Sequence, residues 1–263
     1  MIVLIFLVPI LTYLFMRVFK AFGWTTTNFE GKDIPYSLGL IVVFSFIVFS
    51  LVAPIENQAS SLYSFLFITC IWFIGFIDDR FGDLGPKGLH GHFKYLLKEG
   101  KVSTGLLKVV GTVGVSFFYL FVYLQPATIA EGVRYAALLI LTPHIMNLFD
   151  TRPLRVWKIT LLHSFLFLSF IDLLPFSFTV FLLTVFFVLY VFEGHQLAML
   201  GDNGATSIGA VLALLTILYT DVQVQWSAVA VYALLTIIAE KSSFSYWIEK
   251  TPLLKRLDRW GLS

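Results

Sequence analysis

The sequence predicts an all-α polytopic membrane protein of about nine transmembrane helices. Three observations carry that prediction: the apolar excess, its concentration in helix-length windows, and the one-sided placement of Lys and Arg. Hydrophobic residues make up 58% of the 263 residues and charged residues only 13%, against about 25% charged residues in soluble domains. The shortfall in charge falls in windows of the ~17–25 residues that a helix needs to cross a bilayer. A net charge of +2 is too small to suggest nucleic acid as a partner. The single cysteine, Cys70, excludes an intramolecular disulfide framework.

In chain order the predicted spans are 2–20, 34–54, 60–77, 104–124, 133–149, 156–174, 176–192, 205–220 and 222–240. The first has no positive segment before it and no small-residue cleavage site after it, while Arg17 and Lys20 follow it. It therefore reads as a retained helix and not as a signal peptide. The sixth and seventh spans are separated by the corner Leu174-Pro175-Phe176. With the N-terminus outside, Arg134 alone among the 18 Lys and Arg residues falls on the outer side, and the positive-inside rule then puts the C-terminus in the cytoplasm. The outer connections, near 54–60, 125–132, 172–176 and 221, are short and nearly uncharged. The inner loops, near 21–33, 78–103, 150–158 and 193–204, and the tail 241–263 carry the charge. No internal repeat or soluble unit interrupts this pattern, so residues 1–263 read as one membrane domain.

The inner loops contain the polar chemistry. Asp78 and Asp79 end the third span, Asp150 ends the fifth, and Asp202 precedes the eighth; Lys32, Arg80, Arg152 and Arg155 lie in the same set of loops. Adjacent aspartates repel unless a cation or a proton lies between them. Carboxylates from three loops together with basic residues suit Mg²⁺ shared with a phosphate, because Mg²⁺ commonly takes one or two carboxylates and completes its shell with water and substrate phosphate. Taken singly, the Asp pair also suits a solvated helix end, and Gly201-Asp202-Asn203-Gly204 suits a tight turn. The histidines His90, His92, His144, His163 and His195 show no metal-type spacing.

Two further segments are amphipathic. In residues 87–101, Leu89, Phe93, Leu96 and Leu97 recur at helical spacing among Lys87, Lys94, Lys98 and Lys101. In the tail, Thr251 and Pro252 form a helix start, followed by Leu253, Leu254, Leu257 and Trp260 on one side and Lys255, Arg256 and Arg259 elsewhere. Each segment suits either an anionic leaflet or packing against the protein itself.

Four stretches, GKDIPYSLG, GFIDDRFGD, NLFDTRPLR and LGDNGATSIG, occur in that order and on one predicted face. Together, over residues 28–209, they resemble the polyprenyl-phosphate sugar-1-phosphate transferases (glycosyltransferase family 4). This is the family of the bacterial phospho-MurNAc-pentapeptide translocase and the undecaprenyl-phosphate GlcNAc-1-phosphate transferases. The resemblance implies a multi-pass enzyme of the bacterial plasma membrane with its active site on the cytoplasmic face. Its substrates would be undecaprenyl phosphate and a UDP-sugar, and its cofactor Mg²⁺ with Mn²⁺ as a substitute; the sequence leaves the oligomeric state open, a homodimer being one option. It further implies catalytic roles for Asp78 and Asp79, metal binding by Asp202 and Asp79, and substrate binding by Lys32, Asn147, Asp150 and Arg152. The chain departs from the family pattern at His144, where an asparagine is usual, and at Thr151, Pro153 and Leu154 after Asp150. Leu38 stands before Gly39 where a glycine is usual, Gly82 stands four after Asp78 where Lys or Asp is often found, although Asp83 follows, and the His-rich loop before the last span has no counterpart. These departures imply a donor other than UDP-MurNAc-pentapeptide, with a smaller UDP-N-acetylhexosamine expected. The alternative is an inactive paralogue that binds polyprenyl phosphate or assists in handling lipid-linked precursors. A transporter fits less well, because the predicted spans place few charges near the midplane.

Overall fold

The structure is a computed structural model that describes residues 2–28, 30–52, 62–82, 88–168 and 176–262. In chain order the helices are α1 (Ile2–Ala21), α2 (Leu38–Val52), α3 (Leu62–Phe81), α4 (Gly88–Glu99), α5 (Thr104–Tyr119), α6 (Ile129–Phe149), α7 (Arg155–His163), α8 (Phe176–Gly194), α9 (Gly201–Tyr219), α10 (Val222–Lys241), α11 (Phe244–Lys250) and α12 (Pro252–Arg259). α5 and α7 each continue into one π-helical turn, Leu120–Leu124 and Ser164–Leu168. Among the described residues each apolar window overlaps one of these helices, although the second begins in extended backbone at residues 34 and 35, and both amphipathic segments are helical as well. The corner at 174–175, the connection 53–61 and the stretch 83–87 lie outside the described residues.

Among the described residues, α3, α5 with its π turn, α9 and α10 are long and apolar enough to cross a bilayer; Leu38–Ile47 and Thr179–Gly194 are shorter apolar helices. This is the architecture of an all-α membrane-embedded protein. The four long helices differ sharply in what they touch: 89% of the apolar window of α9 is buried, against 28%, 22% and 17% for α3, α5 and α10. α9 is thus the axis of the bundle, with α6, α3 and α2 packed directly on it. The ring helices turn large apolar side chains outward, Phe6, Phe73, Phe118 and Leu234 among them. Such a surface is stable in lipid and not in water.

Side chains close the helix ends. Ser103, Thr128 and Asp221 accept the amide hydrogens of Leu106, Glu131 and Val224 at the starts of α5, α6 and α10. At the last turn of α9, the buried Gln225 of α10 donates its amide to the carbonyls of Thr216, Ile217 and Thr220 at 3.3, 3.0 and 2.9 Å. Its own Oε1 accepts from Nε of buried Arg134 at 2.6 Å. One turn inward, Thr216 donates to the Leu212 carbonyl, so its hydroxyl oxygen accepts from Nε2–H of His163, 3.0 Å away. Nδ1 of His163 is left to accept from the Tyr232 hydroxyl. His163 is therefore a satisfied tie between α7, α9 and α10.

Among the described residues, one element falls outside the helical expectation: between α1 and α2 lies a short antiparallel hairpin of β1 (Thr25–Thr27) and β2 (Asp33–Pro35) with Thr26 opposite Ile34. Three successive β-branched threonines favour extended backbone. Asn28 supplies the turn, its Oδ1 accepting the amides of Glu30 and Lys32 at 2.9 Å each.

Candidate functional site

Three of the four motif stretches meet at the N-terminus of α9. Gly201-Asp202-Asn203-Gly204 opens that helix and does not form a free turn. Asp79, in the last turn of α3, places its carboxylate over the opening. Its Oδ1 accepts the Asp202 amide at 2.9 Å, and its Oδ2 accepts the Asn203 amide at 2.9 Å and the Asn203 side-chain Nδ2 at 2.6 Å. An acidic group here satisfies otherwise unpaired helix amides and opposes the positive end of the helix dipole. Asn203, fully buried, also donates to the Tyr36 carbonyl at 3.0 Å and accepts from Trp72 Nε1 at 3.0 Å. The motif glycines permit this contact: a Cβ at Gly75 would stand 2.6 Å from the Asn203 Cα, and one at Gly39 would overlap the Asn203 side chain.

Asp78 points elsewhere. Lys108, in the second turn of α5, forms ion pairs with Asp202 and with Asp78, the latter at 3.4 Å. The Asp78 and Asp202 carboxyl groups lie within hydrogen-bonding reach of each other, and the Thr104 hydroxyl reaches Asp78. The repulsion between the acids is thus met by one ammonium group and by the amides of α9. Lys108 was not among the residues expected from sequence, because it falls inside a window read as apolar. The available signal was its rarity, since an ionisable side chain within a span is costly to place there.

The 150–158 loop forms the neighbouring wall. Asp150 caps α6, and burial raises its carboxyl well above the ordinary carboxylate range, with Glu193, Asp202 and Asp79 adding to the effect. Asp150, Arg152, Pro153, Glu193 and Gln196 help to line a cavity of about 130 Å³ that also reaches Asn28 of the hairpin. Glu193, 2% exposed in the last turn of α8, accepts the amides of Leu154 and Leu200 at 3.4 Å each. It ties this wall to the start of α9 and was not foreseen from sequence. Asn147 Oδ1 is buried with no hydrogen-bond partner among the described residues.

The basic residues expected to face phosphate have other partners in this state. Arg152 is bonded to Glu249 of α11. Arg155 is clamped by Asp258 of α12 through Nε at 2.6 Å and Nη2 at 2.9 Å, and its Nη1 donates to Thr151 and Ser245 at 2.6 and 2.7 Å. Lys32 stands exposed on the hairpin, 2.9 Å from Glu30 and not joined to the carboxylate cluster. The structure therefore brings Asp78, Asp79 and Asp202 together, sets Asp150 and Arg152 along the adjoining cavity, and leaves Lys32 apart.

No protein-family model matches this sequence, and no curated protein matches it at a significant level. The chemistry of the site has to be read from its own donors. Among the described residues, no group of three or more His, Cys, Asp or Glu forms a ready-made metal cage. Asp78 and Asp202 nevertheless present hard oxygens side by side, which fits a protein's share of an Mg²⁺ shell completed by water and phosphate. Asp79, expected as a metal ligand, has three hydrogen bonds to α9, a geometry that holds Asp202 in place.

Proposed function

We propose that the protein transfers a sugar-1-phosphate, an N-acetylhexosamine-1-phosphate in the first instance, from a UDP-sugar to undecaprenyl phosphate in cell-envelope glycopolymer synthesis. The reading includes nine membrane spans, an outer N-terminus and a site on the cytoplasmic face. The observation that carries it is the meeting of Asp78, Asp79 and Asp202 with Lys108 at one end of an apolar helical bundle, where a lipid phosphate would lie at the bilayer surface.

In this reaction an oxygen of the lipid phosphate attacks the β-phosphorus of the donor. The bond from that phosphorus to the α–β bridging oxygen breaks, and UMP leaves with the electron pair. Asp78 takes or orients the proton of the attacking phosphate. Lys108 turns from the carboxylates toward the phosphate charge that builds up, where a positioned cation acts most strongly in a water-poor site. Asp79 keeps the start of α9, and with it Asp202, in register. Asp150 and Arg152 border the cavity proposed for the nucleotide side, and Asn147 lies one turn before them at the end of α6. Mg²⁺ held by Asp78 and Asp202 would neutralise diphosphate charge.

A second reading is favoured by one observation, that Lys108 pairs with both Asp78 and Asp202 and so offsets part of their charge with a group of the chain itself. On that reading the protein binds polyprenyl phosphate without chemistry. The two separate in an exchange assay with purified protein, a lipid-linked diphosphate sugar, labelled UMP and Mg²⁺. The transfer conserves a diphosphate linkage and should run in both directions, so an active enzyme incorporates label into UDP-sugar. No exchange and no UMP release from any UDP-sugar, with polyprenyl phosphate binding that still depends on Asp78, would establish the binder.

A further inference from the structure

The C-terminal helix α12 is amphipathic in the reverse sense for a helix that packs on its own protein. Its one buried residue is the acid Asp258, whereas Leu253, Leu254, Leu257 and Trp260 are 67%, 42%, 52% and 67% exposed. α12 is joined to the body by the Arg155–Asp258 pair, by Lys158 donating to the Asp258 carbonyl at 2.6 Å, and by the packing of Leu262 just beyond it. An eight-residue helix lies well below the ~12–15 residues at which isolated helices become marginal in water. With its apolar face uncovered, it needs an apolar neighbour.

We propose that α12 is a membrane-surface helix whose apolar face seats on an anionic phospholipid layer at the carboxylate end of the bundle. The occupant follows from charge and place. Lys255, Arg256 and Arg259 are exposed around the apolar side chains, an arrangement that pairs with anionic headgroups while the leucines enter the acyl boundary. The bilayer is at hand, because α10, long and apolar enough to cross it, ends only ten residues before α12 begins. Asp258 then faces the body, where it meets Arg155 of the 150–158 loop. The inference rests on the membrane architecture and not on the transfer chemistry.

The test uses full-length protein in nanodiscs of phosphatidylcholine with or without phosphatidylglycerol. Cys70 is replaced by alanine, and a nitroxide is attached through Leu253→Cys or Leu257→Cys. Seating predicts strong relaxation by oxygen and weak relaxation by a water-soluble nickel chelate at both positions. In phosphatidylglycerol discs, charge removal by Lys255→Gln, Arg256→Gln or Arg259→Gln should lower the seated fraction, with about a fivefold loss in the seating equilibrium per residue. A label at Phe118, on the outward face of α5, reports whether each variant is still embedded. Nickel-accessible labels at 253 and 257 would overturn the proposal by placing α12 in water. Labels shielded from both reagents would overturn it in favour of a protein partner or a second copy of the chain.

Discussion

The two ends of α9 solve one problem with different chemistry. Both ends leave backbone groups without helical partners, and at both a side chain from a neighbouring helix supplies what is missing. At the C-terminal end the cap is neutral: Gln225 covers three carbonyls and is itself held by Arg134. At the N-terminal end the cap is the Asp79 carboxylate, and beside it stand Asp78 and Asp202 with Lys108 as the cation paired to them. On the proposed function, the extra carboxylates belong to the end that handles charged ligands, and the closed amide network to the end that only has to hold.

That contrast can be broken or sharpened by substitution, beginning with the largest expected effect. Asp202→Asn should abolish transfer in the exchange assay, and Lys108→Gln should lower it by about 10²–10³-fold, the usual loss on removing one positioned charge-stabilising donor. Full turnover in Asp202→Asn would reduce that end to a cap and nothing more. Asp79→Ala should act on both stability and turnover. It leaves α9 amides and the Asn203 side chain without their acceptor, and thermal unfolding in nanodiscs should register a loss of about 3 kcal/mol. Gln225→Leu, at the opposite end, should cost about 2 kcal/mol in the same measurement while the exchange rate per folded molecule stays unchanged. A fall in that rate would erase the distinction between the ends.

The last prediction concerns Asp150 and pH, and its effect is nil at about pH 4. Its carboxyl is held well above the ordinary range, first by burial and then by Glu193 and Asp202. From about pH 4 upward the unfolded chain ionises this group while the folded protein keeps it protonated. Its contribution to stability is therefore intact in acid and declines as pH rises toward the folded value, by up to ~1.4 kcal/mol per pH unit. Asp150→Asn should remove that slope: its melting temperature should match the parent near pH 4 and exceed it increasingly toward neutrality. Parallel pH profiles would show that Asp150 ionises normally.

Much of the site was visible as residue types at span ends. Asp78, Asp79 and Asp202 stand where apolar runs stop or start, and a carboxylate there is conspicuous whatever surrounds it. Three features were not visible, each because it depends on a partner distant in the chain. Lys108 lies within an apolar window, and only the packing of α5 on α3 brings it to Asp78. Asp79 differs in task from its neighbour Asp78 because consecutive helical residues point about 100° apart, toward α9 in one case and toward α5 in the other. The apolar stripe of α12 was legible, whereas the burial of Asp258 beneath it depended on Arg155.

By itself, then, the sequence determined the all-helical class, the positions of the apolar helices among the described residues, the two amphipathic segments and the gathering of charge into a few loops. Those properties follow from composition and periodicity, which act over one or two helical turns. The tertiary structure alone decided that α9 is the axis, that Asp79 caps it while Asp78 and Asp202 share Lys108, that Lys32 stands apart, and that α12 turns its leucines outward. These depend on which helices touch, and in a bundle where nearly every helix is apolar, hydrophobicity cannot rank the neighbours. Close approach at Gly39 and Gly75 and a few buried polar bonds make that choice.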